Sequence, residues 1–181
     1  MKKYLTFTSR AAIAALATAG LCFISVAKAT DETKSDTATK KEGSSLSAKD
    51  KMFIRHAAKG GMKEVAMGEM GQNDAKSDDV KKVAGKIASD HKDANKELME
   101  LAEKKGITLP KEAPKMKKFA GDKEYLMMMQ KDHEKDIAAF EKEANDSGSG
   151  EDADVKAWAE KTLPTLKDHL KMVNDSLEKM K

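Results

Sequence analysis

Three histidines in this 181-residue chain have the spacing and surroundings of groups that could do chemistry. His91, His133 and His169 each follow an aspartate (Asp90, Asp132 and Asp168). Each also lies in a segment whose apolar residues recur every three to four positions. Advancing 100° per residue puts all three on the apolar stripe of a helix rather than on its wet face. Neutral imidazoles at one level, with carboxylates nearby, could bind a divalent transition metal. Asp136, one turn after His133, and Glu64 fall closer to the interior than the three flanking aspartates. The candidate metal set is therefore His91, His133, His169, Asp136 and Glu64. A hydrogen-bonded histidine cluster in the core is the competing use of the same residues. His56, the remaining histidine, falls far from its helix's inward stripe and is expected at the surface.

Other chemistries find less support. A di-iron carboxylate centre requires Glu-x-x-His on two helices and a glutamate on each of the other two. Ala88 and Leu166 stand three residues before His91 and His169, where those glutamates would be, so a standard di-iron centre is not expected. The 12 methionines include Met62, Met67, Met70 and the run Met127 to Met129. Thioethers suit copper(I), but that run points around its helix rather than along one face, and methionine also fills gaps in cores. There is no G-x-S-x-G motif and no glycine-rich phosphate loop following a strand. No catalytic residue and no organic cofactor is assigned.

Four amphipathic helices must position these residues. Helix one is expected from Ala48 to Gly71, with Ser47 as N-cap and Asp50 completing a capping box. Helix two is expected from Asp78 to Lys105, capped by Ser77 and terminated by Gly106. Helix three is expected from Lys123 to Asn145 after Asp122. Helix four is expected from Ala153 to Met180, after Asp152 and the linker Ser147-Gly148-Ser149-Gly150. Helix one has the weakest stripe (Phe53, Ala57, Gly61, Val65 and Gly68), and its glycines permit close helix approach or leave space. Pro164 should kink helix four.

At 1.5 Å per residue the three histidines fall within roughly 5 Å of one layer of a bundle. The connection from Gly106 to Gly121 is long for a hairpin. Extended, it spans about 53 Å, against about 42 Å for a 28-residue helix. It could cross the whole bundle, as in ferritin-like folds, or close a bulky turn.

The N-terminus sets the address. Lys2, Lys3 and Arg10 precede an apolar run to Val26, which ends in Ala27-Lys28-Ala29. This is the pattern of a cleaved secretory signal over residues 1–29, and the run is too short to span a bilayer. Residues 30–46, polar and without aromatics, are expected as a disordered tether. Residues 47–181 form the bundle. Cleavage would remove the single cysteine and four of the 34 basic residues, leaving 30 against 31 acids. A near-neutral mature chain has no electrostatic motive for nucleic acid, and it carries no membrane span and no barrel-like alternation.

The chain resembles the exported ferritin-like family catalogued as domain of unknown function 4142, DUF4142, often labelled as outer membrane proteins. The matching stretches are Phe53 to Met62, Ser89 to Asn95, Lys105 to Pro110, Lys131 to Asp136 with Phe140-Glu141, and Thr162 to Leu170. Together they cover about Asp50 to Leu177. The resemblance implies a ferritin-like four-helix bundle and supports the crossing connection, but supplies no activity. The expectation is an all-α, periplasmic, non-enzymatic bundle protein that binds a metal ion or an envelope protein partner, serving in envelope stress. The alternatives are a metalloenzyme using His91, His133 and His169 with Asp136 or Glu64 as ligand or base, and a purely structural or interaction module.

Overall fold

The computed structural model describes residues 46–148 and 151–181. The expected signal peptide, nearly all of the expected tether and the second half of the 147–150 linker lie outside them. Four helices account for most of the described residues: α1 (Ala48–Asp74), α2 (Asp78–Lys104), α3 (Asp122–Ala144) and α4 (Ala153–Glu178). No strand occurs among the described residues. No described helix is long and apolar enough to cross a membrane.

Each helix end has an identifiable cause. Ser47 Oγ accepts from the Asp50 amide at 3.0 Å, but the expected capping box is only half made, because the Asp50 carboxylate accepts from the Asp152 amide at 3.2 Å instead of from Ser47. Asp152 caps α4 by accepting from the amides of Asp154 and Val155. Gly106, at φ 67°, ends α2, and the next amide, that of Ile107, returns to the Ala102 carbonyl at 2.8 Å. Two expectations need correction. The Ser77 hydroxyl makes no cap bond; the Asp122 carboxylate reaches across instead and accepts from the amides of Lys76 and Ser77 at 2.8 and 2.7 Å. Asp122 is also the first residue of α3, and Gly121 takes the N-cap position. One carboxylate thus sits at the positive ends of two helices, which favours it doubly. Helix α4 runs from Ala153 to Glu178 through Pro164.

The core falls into two apolar clusters that fix the helix directions. One holds Phe53 and Ile54 from the start of α1, Leu98 and Ala102 from the end of α2, Phe140 and Ala144 from the end of α3, and Val155 and Trp158 from the start of α4. Leu46, just ahead of Ser47, is buried in it. Its rings pack edge-on or tilted, with Phe53 5.0 Å from Phe140 and Phe140 5.3 Å from Trp158, within the favourable range for aromatic pairs. The other cluster joins Met67 and Ala75, Val80 and Ile87, Tyr125 and Met129, and Val173, from the opposite ends of the same helices.

It follows that α2 finishes at the Trp158 end and α3 begins at the Tyr125 end. The connection between them traverses the bundle, which decides for the ferritin-like option. Ile107 and Leu109 pack at one end of it, Met116 and Phe119 at the other. Helix α1 packs on α2 and α3, and α4 packs on α3 and α2. All four of these neighbours run antiparallel.

The weak stripe of α1 is explained by close approach. A Cβ on Gly68 would stand 2.8 Å from both the Ala84 carbonyl oxygen and the Ala88 Cβ, and one on Gly71 would stand 2.6 Å from Tyr125 Cζ. Only hydrogen at these positions lets α1 settle onto α2 and α3. Facing two neighbours also widens its buried side, which takes in Ile54, Ala58 and Met67 besides Phe53, Ala57, Gly61 and Gly68 of the expected stripe, while Val65 is only half-buried.

Candidate metal centre

Between the two apolar clusters lies a polar layer with one contribution from each helix. Glu64 of α1 is 1% exposed, His91 of α2 6%, His133 of α3 0% and His169 of α4 1%. The ring centroids of the three histidines stand 5.2, 5.3 and 5.6 Å apart. Each ring offers one nitrogen, and those three atoms lie within 4.8 Å of one another. Asp136, half-buried, adjoins this layer on the α1–α3 side. His56 is exposed, as its position off the stripe predicts.

The outer nitrogens have partners that set the tautomers. His133 Nδ1 is 2.9 Å from the Met129 carbonyl oxygen one turn earlier, so this nitrogen carries the proton and donates. His169 Nε2 is 2.8 Å from Asp90 Oδ2 and donates to that carboxylate. Asp90 is held in turn by Lys86 at 2.7 Å. The two inner nitrogens, His133 Nε2 and His169 Nδ1, then face each other with lone pairs at 3.2 Å. Lone pairs do not attract one another, so the pair calls for a cation or a shared proton between them.

A shared proton is disfavoured by the surroundings. Burial pushes His133 down to about 4, although the bond to the Met129 carbonyl opposes this. His91 is pushed down to about 3, by burial first and then by repulsion from His133 and His169. His169 is lowered by burial, with Asp90 opposing. All three rings are therefore neutral near pH 7, the state that ligates metals. Burial alone would raise Asp90, but hydrogen bonds from Lys86 and His169 outweigh it and hold the carboxyl below its ordinary range.

The other half of the layer is unsatisfied. Glu64 Oε2 lies 3.2 Å from His91 Nε2 and Glu64 Oε1 lies 3.2 Å from His133 Nδ1. Neither approach is aligned as a hydrogen bond, and both Glu64 oxygens and His91 Nε2 are buried without a hydrogen-bond partner. Glu64 is raised well above the carboxylate range by burial and by the negative charges of Asp136 and Asp132, with Lys63 opposing. The Tyr125 hydroxyl is likewise buried and unpartnered, and is raised by burial and by Glu64.

Ligands about 2.0–2.1 Å from a tetrahedral ion stand about 3.4 Å apart. The 3.2 Å separations of His133 Nε2 from His169 Nδ1, and of His91 Nε2 from Glu64 Oε2, match that span. The three imidazoles can therefore offer nitrogens to one ion, with Glu64 beside His91 and with Met129 and Asp90 orienting two of the rings from behind.

Sequence reasoning missed the pairing of Asp90. Each histidine follows an aspartate, yet no such neighbours pair: Asp90 serves His169 on α4, Asp132 pairs with Lys63 at 2.5 Å, and Asp168 is exposed. The available signal was rotational. Asp90 lies at the edge of the α2 stripe, where a side chain meets the adjacent helix.

No curated protein matches the chain. A DUF305 fragment from Deinococcus radiodurans is similar in structure over 74% of this chain and 98% of its own, with TM-score 0.61 and 11% identity. A conserved hypothetical protein from Mycobacterium tuberculosis is similar over 74% and 100%, with TM-score 0.63 and 12% identity. At such identities the likeness concerns the four-helix fold alone. Residues 34–175 match the family model for a domain of unknown function, DUF4142, and this chain belongs to that family.

Proposed function

We propose that this is a periplasmic bundle protein that binds one divalent transition-metal ion, of the zinc or cobalt kind, without turning over a substrate. The observation that carries the reading is the pair of lone pairs on His133 Nε2 and His169 Nδ1, aimed at each other at 3.2 Å with their outer nitrogens tied back. The unpartnered His91 Nε2 and Glu64 carboxylate supply the remaining donors. Four protein ligands make a closed site, as in metal-holding proteins, whereas catalytic sites keep a position open. Export rests on the N-terminal pattern of residues 1–29, and service in envelope stress on that address together with metal holding.

The test uses the full chain, expressed with export and purified untagged. Mass spectrometry of the processed product should show cleavage after Ala29 and one equivalent of bound metal. Removing the metal should lower the melting temperature, and added Co2+ should give the visible absorption of a tetrahedral ion. His91→Ala, His133→Ala and His169→Ala should each lose that absorption. A wild-type protein that carries no metal, with a melting temperature indifferent to zinc and cobalt, overturns the reading.

A further inference from the structure

The polar layer is buried on all sides, so an ion needs a route to it. Among the described cavities, a single one is lined by any of the four donor residues: a cleft of about 180 Å3 between α1 and α3 that reaches Glu64. Pro114 of the crossing connection lines the same cleft. Asp132 and Asp136 line it as well, with Lys59, Lys63 and Lys135 beside them, and the deepest of its three carboxylates, Glu64, is 1% exposed and has no hydrogen-bond partner. Gly60 leaves the space the Asp136 carboxylate uses: a Cβ there would stand 3.3 Å from Asp136 Oδ2. The opposite face, between α2 and α4, has its own cavity, but that one stops at Asp90, which is occupied by Lys86 and His169.

We infer that the α1–α3 cleft is the route by which the ion enters and leaves, with Asp136 as its transfer ligand and Glu64 as the group that passes it to the histidines. This rests on the metal-binding reading above. Lys63, held on Asp132 at 2.5 Å, is the cation an incoming metal displaces at the rim. Carboxylates suit this work because they exchange water for protein oxygen step by step, while the imidazoles supply the final affinity. Asp136 thus ligates the ion only in transit and is not a member of the final ligand set.

Stopped-flow mixing of metal-free full-length protein with Co2+, followed by visible absorption, tests the route. Asp136→Asn and Gly60→Val should slow both uptake and release by about ten-fold or more. The final Co2+ spectrum should stay close to wild type, since the ligand set is unchanged. Thr165→Phe, which fills the α2–α4 cavity, should leave the rates unchanged. If Asp136→Asn and Gly60→Val load at the wild-type rate, or if Thr165→Phe alone slows loading, the route is overturned while metal binding stands. If the wild type develops no Co2+ absorption, the binding reading falls and the route falls with it. Asp136→Asn is isosteric, which keeps the test decisive should Gly60→Val fail to fold.

Discussion

The two sides of the polar layer differ in how their charges are settled. Toward α2 and α4, Lys86, Asp90 and His169 form a run of short, aligned hydrogen bonds at 2.7 and 2.8 Å. Toward α1 and α3, Glu64 stands beside two imidazoles and near another carboxylate, and neither of its oxygens is satisfied. A buried polar group without a partner costs about 1–3 kcal/mol, and more if charged. Hydrogen bonds settle Asp90 and His169, while Glu64 and His91 Nε2 are left without partners. On the metal-binding reading proposed above, those unpartnered groups are where binding energy would be recovered.

Glu64→Gln should produce the largest departure from this contrast. Metal affinity should fall by about 100-fold, since charge-assisted ligation is lost, as measured by titration calorimetry with zinc. The metal-free protein should change in the other direction, being more stable than wild type in urea unfolding on the alkaline side, where the wild-type carboxyl must ionise in a buried site. Its pH profile should change too. A carboxyl raised in the folded state contributes stability that is present below its unfolded pKa and lost as pH rises through the folded value. The variant should lack that alkaline loss. The acid loss should remain: His91 at about 3 and His133 at about 4 contribute stability that is present above 6.5 and disappears as pH falls toward those values. A variant whose stability still declines on the alkaline side would show that Glu64 is not the strained group.

Asp90→Ala comes next. Loss of an outer partner to a metal-bound histidine typically costs about 10–100-fold in affinity. His169 would be free to change tautomer, and the Co2+ spectrum should shift as well as weaken. An unchanged affinity would mean that the orderly side is orderly for packing alone. Lys86→Ala should have the smallest effect. Its side chain is 57% exposed, so the loss of its pair with Asp90 should cost less than about 0.5 kcal/mol by urea unfolding. If Lys86→Ala matched Asp90→Ala, the whole run rather than the carboxylate would be orienting the ring.

The level of the histidines was legible before the fold because helical rise is fixed: counting residues from each helix end placed three rings in one layer. The inward facing of Glu64 was legible from rotation about α1 for the same reason. What was not legible is lateral. Whether Asp90 serves His91 beside it or His169 across the groove depends on which helices are neighbours, and periodicity within one helix carries no such information. The cap of α2 failed likewise, since Asp122 reaches Lys76 and Ser77 from 46 and 45 residues away, beyond any local pattern. The connection from Gly106 to Gly121 was long enough to cross, but its length alone could not say that it does. That followed from the two apolar clusters, which show at which end each helix starts.

The crossing connection has a consequence for assembly. It divides the chain into two helical hairpins, α1 with α2 and α3 with α4, each held by contacts close in sequence. Glu64 and His91 belong to the first hairpin, His133 and His169 to the second. Neither hairpin owns more than two of the donors, so an ion bound by all four would act as a clasp closing the docked halves. Chains rich in local contacts fold fast, and the slow, cooperative event would be the meeting of the two hairpins. Metal would then be felt mainly as a brake on their separation, a rate that a chelator would release.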